Sequence, residues 1–204
     1  MSEGLHIASF VLLAFLLGSV PFGLIIARAF GVNDLTKRGS GNIGATNVAR
    51  VIGFWPAGVL TLVLDGVKGT VPLILLHFAL FGSDGFNERL DVNWGVGLAA
   101  CVGHCFSPWL KFRGGKGVAT SFAILLFLAP WTGLVGAVGF AVAFSATRIG
   151  AVGSLTGALL ALAVHTILYP AGSYLLYFGA MIAIIIYRHE SNLDALLKHE
   201  ENTF

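Results

Sequence analysis

Long stretches of the chain contain no Asp, Glu, Lys or Arg, and this feature limits the possible folds most strongly. Such stretches cover residues 4–27, 117–147 and 149–187. A helix that crosses the hydrocarbon layer of a membrane needs roughly 20 apolar residues. Hydrophobic residues make up 56% of the 204 residues and charged residues only 11%, whereas about a quarter of a soluble domain is charged. The chain is therefore predicted to be a polytopic membrane protein.

The apolar runs divide into seven short segments, each predicted to be a transmembrane helix. The breaks between them fall at prolines, glycines and charged residues. The predicted spans cover residues 5–29, 54–81, 92–105, 118–128, 131–144, 149–168 and 173–187. The first span lacks a basic region before it and is longer than the apolar part of a signal peptide, so we expect it to be retained. The predicted fold class is one all-α integral membrane domain over residues 1–204.

The basic residues predict the orientation of this domain. If the seven spans alternate, one side of the membrane carries Arg28, Lys37, Arg38, Arg50, Lys111, Arg113, Lys116, Arg148, Arg188 and Lys198. The opposite side carries only Arg89, within an acidic loop at residues 82–91. Because basic loops remain in the cytoplasm, we expect the N-terminus outside and the C-terminus in the cytoplasm.

A polar segment with the sequence RGSGNIGATNVAR lies at residues 38–50, directly after the first span. Its small polar side chains are Ser40, Asn42, Thr46 and Asn47, and Gly41 lies among them. Glycines let backbone amides approach a ligand and adopt positive φ angles, while hydroxyl and amide groups add hydrogen-bond partners. Arg38 and Arg50 add a forked positive charge that suits phosphate. The pattern predicts a phosphate cradle, although an ordinary glycine-rich loop has a similar composition.

A second basic, glycine-rich turn, KFRGGKG, lies at residues 111–117, immediately before the predicted span 118–128. The first amides of a helix have no partner inside the helix and carry the positive end of its dipole, so they favour anions. Gly114, Gly115 and Gly117 would bring this backbone close to a ligand, and Lys116 adds a charge. The spacing differs from that of a Walker A loop, so a nucleotide-binding loop is not predicted.

A third polar cluster at residues 188–192, which includes His189 and Asn192, follows the last predicted span. In the predicted topology all three clusters lie on the cytoplasmic side. We therefore expect one cytosol-facing site for a ligand that carries phosphate. The net charge of +2 is too small to indicate a nucleic-acid partner.

Several polar residues within the predicted spans are interpreted as structural. Asp65 and Lys68 are three positions apart on one helical face and are expected to form a buried ion pair, although contact with a substrate stays open. Pro21 is expected to kink the first span. Cys101 and Cys105 are interpreted as small residues at a packed helix end, and no disulfide, metal site or cofactor is predicted.

The chain resembles the bacterial acyl-phosphate:glycerol-3-phosphate acyltransferases, the PlsY family. The resemblance rests on GSGNIGATN at residues 39–47 and on GH at residues 103–104 followed by KFRGGKG at residues 111–117. It implies a seven-span enzyme of the bacterial inner membrane. The resemblance also implies transfer of an acyl group from acyl phosphate to the 1-hydroxyl of glycerol 3-phosphate, which gives lysophosphatidic acid and phosphate. Independently of the resemblance, we expect a monomer. A substrate phosphate is taken to accept the proton.

The same resemblance implies roles for individual residues. The residues implied to be catalytic are Ser40, Arg50, Lys116, His189 and Asn192, and those implied to hold substrate phosphate are Gly41, Asn42, Thr46, Asn47, Gly114, Gly115 and Gly117. The chain departs from the family pattern at two places. Glu190 and Ser191 stand where Arg and Glu are usual, and Gly150 and Ala151 stand where Val and Ser are often found.

Two alternative functions remain open from the residues alone. His189 and Asp194 have the His-x4-Asp spacing of acyltransferases that use thioesters of CoA or acyl carrier protein. Residues five apart in a helix lie about 140° apart around its axis, so Asp194 is expected to point away from His189. An anion transporter would carry charges through the depth of the membrane, whereas the cations here gather at one face.

Overall fold

A computed structural model of the chain describes residues 3–81, 90–170, 172 and 174–204. Throughout these residues the regular secondary structure is helical. The α-helices are α1 Glu3–Gly18, α2 Phe22–Ala29, α3 Ala45–Val51, α4 Val59–Leu76, α5 Leu90–Cys105, α6 Val118–Leu128, α7 Pro130–Thr147, α8 Gly150–Leu168, α9 Tyr174–Arg188 and α10 Glu190–Leu197. Single turns of tighter or wider helix occur at Leu35–Lys37, Phe54–Gly58, His77–Phe81 and Pro108–Leu110.

The predicted spans coincide closely with these helices. α6 has the predicted bounds, and α5 and α9 begin and end within two residues of the predicted ones. Four segments are long and apolar enough to cross a membrane, namely Glu3–Ala29, Phe54–Ala79, Pro130–Thr147 and Gly150–Leu168, and α6 and α9 are shorter apolar helices. The count of seven spans stays a prediction. The loop that contains Arg89 and the predicted span start at Ser173 lie outside the described residues.

The first span is broken at Pro21, as predicted, because proline has no amide hydrogen and its ring clashes with the preceding turn. α1 and α2 lie on either side of this break. Nζ of Lys68 in α4 donates to the carbonyl of Val20 at 2.8 Å. The same Nζ pairs with Oδ1 of Asp65 at 2.8 Å. The predicted buried ion pair is therefore present, and it also fastens α4 to the break in the first span.

The turn between α5 and α6 is hydrogen-bonded to the same break between α1 and α2. Oγ of Ser107 donates to the carbonyl of Ser19 at 2.7 Å. Nε1 of Trp109 donates to Oγ of Ser19 at 2.8 Å. The basic glycine-rich turn that follows Trp109 is thereby held in a fixed position relative to α1 and α2.

Glycines allow α1 and α5 to pack with their backbones in contact. A Cβ atom on Gly18 would overlap the backbone of Ala100, and one on Gly103 would overlap the backbone of Phe15. Close packing of small residues is a main source of attraction between helices in lipid, where no hydrophobic effect drives them together.

The apolar core lies mainly between α5, α6, α8 and α9. Its buried members include Trp94, Phe178 and Met181 together with Cys101 and Cys105. Both cysteine thiols are free. They serve as small packing residues, as their sequence context predicts.

Candidate active site

A cavity of about 530 Å³ lies among α3, α4, α6, α7 and α8. The polar part of its wall includes Ser40, Asn42, Thr46, Asn47, Arg50, Lys116, Gly117, His189, Asn192 and Glu201. The apolar part includes Leu62, Val63, Val67, Phe122, Leu126 and Phe140. Such a cavity is suited to a ligand that has both an anionic group and a hydrocarbon chain.

The first glycine-rich loop is folded by two glycines and one asparagine. Gly39 and Gly41 have φ angles of +57° and +69°, a left-handed conformation that glycine adopts without a Cβ clash. Oδ1 of Asn47 accepts a hydrogen bond from the amide of Ser40 at 2.8 Å, and Nδ2 donates to the carbonyl of Asn42 at 2.8 Å. The Asn47 side chain is thus used by the loop itself and fixes the shape of the cavity wall.

The two arginines of this loop lie in different places. Arg38 pairs with Asp34 at 2.7 Å on the surface, and it does not line the cavity, so the expectation that it serves phosphate is wrong. Arg50 lines the cavity, and its buried Nε has no hydrogen-bond partner among the described residues. A half-buried guanidinium with an unused, buried Nε–H donor suits a ligand that brings acceptor oxygens.

The glycine turn before α6 is held by its own main chain. The amide of Gly114 donates to the carbonyl of Cys105 at 3.1 Å. The amide of Gly115 donates to the carbonyl of His104, also at 3.1 Å. The carbonyls of both glycines accept from Arg188, at 2.7 Å and 3.1 Å. Contrary to the expectation from sequence, these two amides are therefore not available to an anion, because the end of α5 already uses them.

Lys116 brings the positive charge of this turn into the cavity. Its Nζ donates to Oδ1 of Asn192. Burial, the largest influence, lowers the pKa of Lys116 to about 8. The charge of Glu201 raises that pKa, while the neighbouring Arg188 and Arg50 lower it. At neutral pH the group is mostly protonated, so it offers an anionic ligand a cation with few water contacts.

His189 is a buried side chain between α9 and α10 that lines the cavity. Its Nδ1 donates to the carbonyl of Ile185 at 2.7 Å, since a carbonyl oxygen can only accept. This bond fixes the tautomer and leaves Nε2 as a hydrogen-bond acceptor. Burial, followed by the charge of Lys116, lowers the pKa of His189 to about 4. The imidazole is therefore neutral at physiological pH and can accept a hydrogen bond from a hydroxyl group.

A second cavity, of about 350 Å³, adjoins the first. The residues that line both are Ser40, Asn42, Lys116 and Asn192. The second cavity also contains Gly41, Arg113, Gly114 and Arg188. Gly115 lines neither, because it packs against the imidazole of His104, where a Cβ would overlap the ring. Two adjacent spaces around one lysine can hold two anionic ligands side by side.

Comparison with known proteins assigns the family. A family model described as glycerol-3-phosphate acyltransferase matches residues 8–199. The chain belongs to the glycerol-3-phosphate acyltransferase family. The glycerol-3-phosphate acyltransferase of Anaeromyxobacter dehalogenans (strain 2CP-C) is 45% identical over 202 residues, which cover 98% of each chain. That of Myxococcus xanthus (strain DK1622) is 36% identical and covers 97% of this chain and 99% of its own.

The fold of this acyltransferase matches solved structures of the same family. The crystal structure of PlsY (YgiH), an integral membrane glycerol 3-phosphate acyltransferase, in its glycerol 3-phosphate form is 33% identical to this chain, with a TM-score of 0.87. The match covers 98% of this chain and 96% of that one. The lysophosphatidic acid form gives a TM-score of 0.86 at 32% identity. The resemblance to PlsY and the prediction of an all-helical integral membrane protein are thereby confirmed.

The cavity of the acyltransferase also contains titratable residues that the sequence motifs did not mark as site residues. Asp65 and His104 line it, with Oδ1 of Asp65 lying 3.7 Å from Nδ1 of His104. Asp65 and His104 are ionisable residues inside predicted spans, and this position in the sequence is the signal that points to a functional site. Glu201 also lines the cavity, but it lies among other charged residues near the end of the printed sequence and carried no such signal. Among the described residues no cluster of His, Cys, Asp and Glu is suited to a metal ion.

The start of α8 forms the part of the wall where the acyltransferase departs from its family pattern. Gly150, Ala151 and Ser154 line the cavity. Oγ of Ser154 donates to the carbonyl of Gly150 at 2.7 Å, and a Cβ on Gly150 would crowd the side chain of Thr46. Ala151 contributes a methyl group where a serine is often found, so this position offers no hydroxyl to a ligand.

Proposed function

We propose that this acyltransferase moves a fatty acyl group from acyl phosphate to the 1-hydroxyl of glycerol 3-phosphate, giving lysophosphatidic acid and phosphate for phospholipid synthesis. The observation that carries the proposal is the pair of adjacent cavities that share Lys116 and Asn192. Both substrates carry phosphate, but only the donor carries a hydrocarbon chain. The larger cavity, with polar and apolar walls, corresponds to the donor, and the smaller polar cavity corresponds to glycerol 3-phosphate.

The larger cavity is suited to the donor. Its apolar wall, which includes Val67, Phe122 and Phe140, would contact the acyl chain, and Arg50 and Lys116 would compensate the charge of the phosphate. Burial of apolar surface contributes about 25 cal/mol per Å². This gain is the same before and during the reaction, so it raises affinity without lowering the chemical barrier.

The smaller cavity is suited to glycerol 3-phosphate. Repulsion between its phosphate and that of the donor is strong where water is excluded, because the effective dielectric constant is low. Lys116 lies on the wall that both cavities share, so one ammonium group can reduce the repulsion between both anions. Arg113 adds a further positive charge on the side of the acceptor.

The chemistry is a direct acyl transfer. The 1-hydroxyl oxygen attacks the carbonyl carbon of the donor, a new C–O bond forms, and the C–O bond to the phosphate breaks. The hydroxyl proton passes to a substrate phosphate oxygen, while Nε2 of His189 orients the acceptor by accepting a hydrogen bond from its other free hydroxyl, at carbon 2. Lys116 stabilises the negative charge that develops on the leaving group. Correct positioning alone can remove up to ~7–11 kcal/mol of such a barrier.

The roles proposed for individual residues follow from these contacts. Ser40, Arg50, Lys116, His189 and Asn192 contact the reacting groups, while Gly41, Asn42, Thr46, Asn47, Gly114, Gly115 and Gly117 shape the two phosphate sites. Asn47 acts by holding its loop, because its side-chain amide is hydrogen-bonded to the main chain of that loop. Gly115 also acts by holding its turn, because it lines neither cavity.

The proposal includes a monomer with seven spans in the inner membrane of a bacterium, an external N-terminus and a cytoplasmic site. The length of α6 supports a site sunk into the helix bundle, since its 11 residues rise only about 16 Å. Irregular backbone at that depth is tolerated where it lines a cavity, as the turn before α6 does.

A cysteine placed at Glu3 should be labelled by an impermeant reagent from outside the cell; labelling only after the membrane is opened would contradict the topology.

The thioester-dependent alternative finds no support in the site. His189 is oriented by the carbonyl of Ile185, and Asp194 is an exposed residue of α10. An anion transporter is a wrong interpretation, because the chain belongs to an acyltransferase family. Acyl phosphate therefore remains the proposed donor.

The proposal is tested with purified protein, glycerol 3-phosphate and one donor at a time, namely acyl phosphate, acyl-CoA or acylated acyl carrier protein. We expect lysophosphatidic acid and an equal amount of phosphate from acyl phosphate only. Omitting glycerol 3-phosphate controls for simple hydrolysis of the donor. Robust turnover with a thioester and none with acyl phosphate would refute the proposed donor.

A further inference from the structure

The chain reverses after α10 and returns to the cavity through residues 198–204, which we call the tail. His199 has a φ angle of +58°, and its amide donates to the carbonyl of Leu196 at 3.1 Å. The amide of Glu200 donates to the carbonyl of Ala195 at 2.8 Å. This pair of bonds is the Schellman motif, which ends a helix and turns the chain back. Glu201 consequently faces the cavity and not the solvent beyond α10.

The far end of the tail is also held in place. The amide of Phe204 donates to the carbonyl of Arg148 at 2.8 Å, and its ring packs edge-on against Phe144 with centroids 5.8 Å apart. The guanidinium of Arg50 lies 5.8 Å from the same ring. With both ends held, the position of Glu201 is determined by the fold.

Glu201 contacts the proposed site through Asn192. Nδ2 of Asn192 donates to Oε1 of Glu201 at 2.8 Å, and Oδ1 of Asn192 accepts from Nζ of Lys116. A carboxylate can only accept hydrogen bonds and an ammonium group can only donate them. Only one orientation of the amide satisfies both neighbours, and rotating it by half a turn would place two donors against each other.

We propose that Glu201 is a positioning residue of the acyltransferase, which holds the Asn192 amide so that its oxygen faces Lys116. The inference rests on the proposed function, in which Lys116 serves both phosphates. Without the carboxylate the amide could rotate, and the ammonium group would lose the acceptor that holds it on the shared wall. Glu201 itself touches no reacting atom in this account.

The charge of Glu201 adds a second, measurable effect. Several charged and titratable groups surround Lys116. They are Arg50 of α3, Arg188 at the end of α9, His189 directly after it and Glu201 of the tail, with Asp65 and His104 on the wall of the larger cavity and Arg113 and Glu190 on that of the smaller one. Glu201 raises the pKa of Lys116, against the lowering effect of burial. Its removal should therefore make Lys116 lose its proton at a lower pH.

The test compares Glu201→Ala, Glu201→Gln and the matched control Glu200→Ala, which removes an exposed carboxylate one position away. We expect kcat/KM of Glu201→Ala to fall about tenfold, the usual effect of losing one hydrogen bond in a charged network, and its alkaline decline to move to lower pH. Glu201→Gln keeps an acceptor oxygen, so its rate near pH 6.5 should stay near wild type while its alkaline decline moves in the same way. Glu200→Ala should match wild type in both measurements.

Three outcomes would overturn the inference. The first is a Glu201→Ala rate equal to that of Glu200→Ala. The second is a slower Glu201→Ala rate with an unchanged pH profile. The third is a faster Glu201→Ala rate, which would show that the carboxylate competes with substrate phosphate. If Glu201→Ala melts early in detergent, the pH profile of Glu201→Gln decides the question. All variants are assayed with whichever donor the wild type uses, so a wrong donor and a wrong role for Glu201 give separate results.

Discussion

Nζ of Lys116 donates to Oδ1 of Asn192, and this hydrogen bond joins two residues 76 positions apart in the sequence. It connects the glycine turn before α6 with the helix that follows the last predicted span. Both residues line both cavities, so the bond lies where the two proposed substrates would meet. The site therefore depends on the docking of α10 as much as on the glycine-rich motifs.

Replacing Lys116 with alanine should remove most of the activity and leave the fold intact. A phosphate left without its cation in a site with little water costs on the order of 2–5 kcal/mol, which is about 30-fold to several-thousand-fold in kcat/KM. Lys111→Ala is the matched control, because Lys111 is an exposed residue of the same turn, and it should stay near wild type. Steady-state kinetics beside a thermal melt checks both, and near-normal kinetics of Lys116→Ala would remove this lysine from the site.

Arg50→Ala should lose activity to a similar extent, and Arg50→Lys should recover little of it. An ammonium group cannot reproduce two parallel hydrogen bonds from a planar guanidinium to phosphate. Arg28→Ala removes an exposed arginine at the end of α2 and serves as the control. Kinetics measured against each substrate in turn will show which phosphate Arg50 contacts. Full activity of Arg50→Lys would show that only charge matters at this position.

The activity should decline as the pH rises through about 8, because burial lowers the pKa of Lys116 to about 8 and the deprotonated amine no longer compensates phosphate. Phosphate monoesters have a second pKa near 6, so they are almost fully ionised by about pH 7.5 and change little as the pH rises through about 8. Lys116→Arg keeps its charge at high pH, and its slower reaction should show no such decline. A pH profile of kcat/KM from pH 6.5 to 9.5 measures this, and an identical decline in Lys116→Arg would assign it to another group.

Asp194→Asn should keep kcat/KM within about twofold of wild type, in the range expected for an exposed substitution away from a site. His189 takes its orientation from the carbonyl of Ile185 and needs no carboxylate. His189→Ala, by contrast, should be severely impaired, because the cavity loses its neutral acceptor. Loss of activity in both variants would revive the thioester-type mechanism.

Gly18→Ala should destabilise the protein by about 1–3 kcal/mol, the usual cost of overpacking. The added Cβ would overlap the backbone of Ala100, and α1 and α5 would have to move apart. Gly179→Ala in α9 is the control, because a Cβ there meets no atom within 4 Å, and it should match or slightly exceed wild-type stability. Thermal melts in one detergent compare the two, and equal melting temperatures would contradict the close packing of α1 and α5.

The helices and the two glycine-rich loops could be predicted because their signals are local. Uncharged runs indicate the spans, and glycines indicate the loops, where Gly39 and Gly41 do adopt positive φ angles. The membrane fold followed from the uncharged runs, and the family from the resemblance of the two glycine-rich motifs to those of known enzymes. The sequence around Arg38 and Arg50 does not show which of the two faces the cavity, because either guanidinium could bind phosphate. Only the three-dimensional packing shows that Arg38 pairs with Asp34.

The remaining parts of the site depend on contacts between distant segments. The amides of Gly114 and Gly115 are used by the end of α5, which no reading of the turn alone reveals. Glu201 reaches the cavity because His199 adopts a left-handed conformation and turns the chain back after α10. A glycine at this position would have indicated such a turn in the sequence, but a histidine does not. These features require the three-dimensional structure, since their sequence signals are weak or absent.

The apolar wall of the larger cavity continues onto the outer surface of the helix bundle, where Leu62, Val67 and Leu126 are 49%, 43% and 47% exposed. A donor dissolved in the bilayer would therefore arrive sideways, along the exposed faces of α4 and α6, while the water-soluble acceptor would arrive from the proposed cytosolic side. The meaningful concentration of the donor is its mole fraction in the lipid, not its molarity. Diluting the donor with inert phospholipid at constant bulk amount should slow the enzyme, and the finished lipid should leave by lateral diffusion without crossing water.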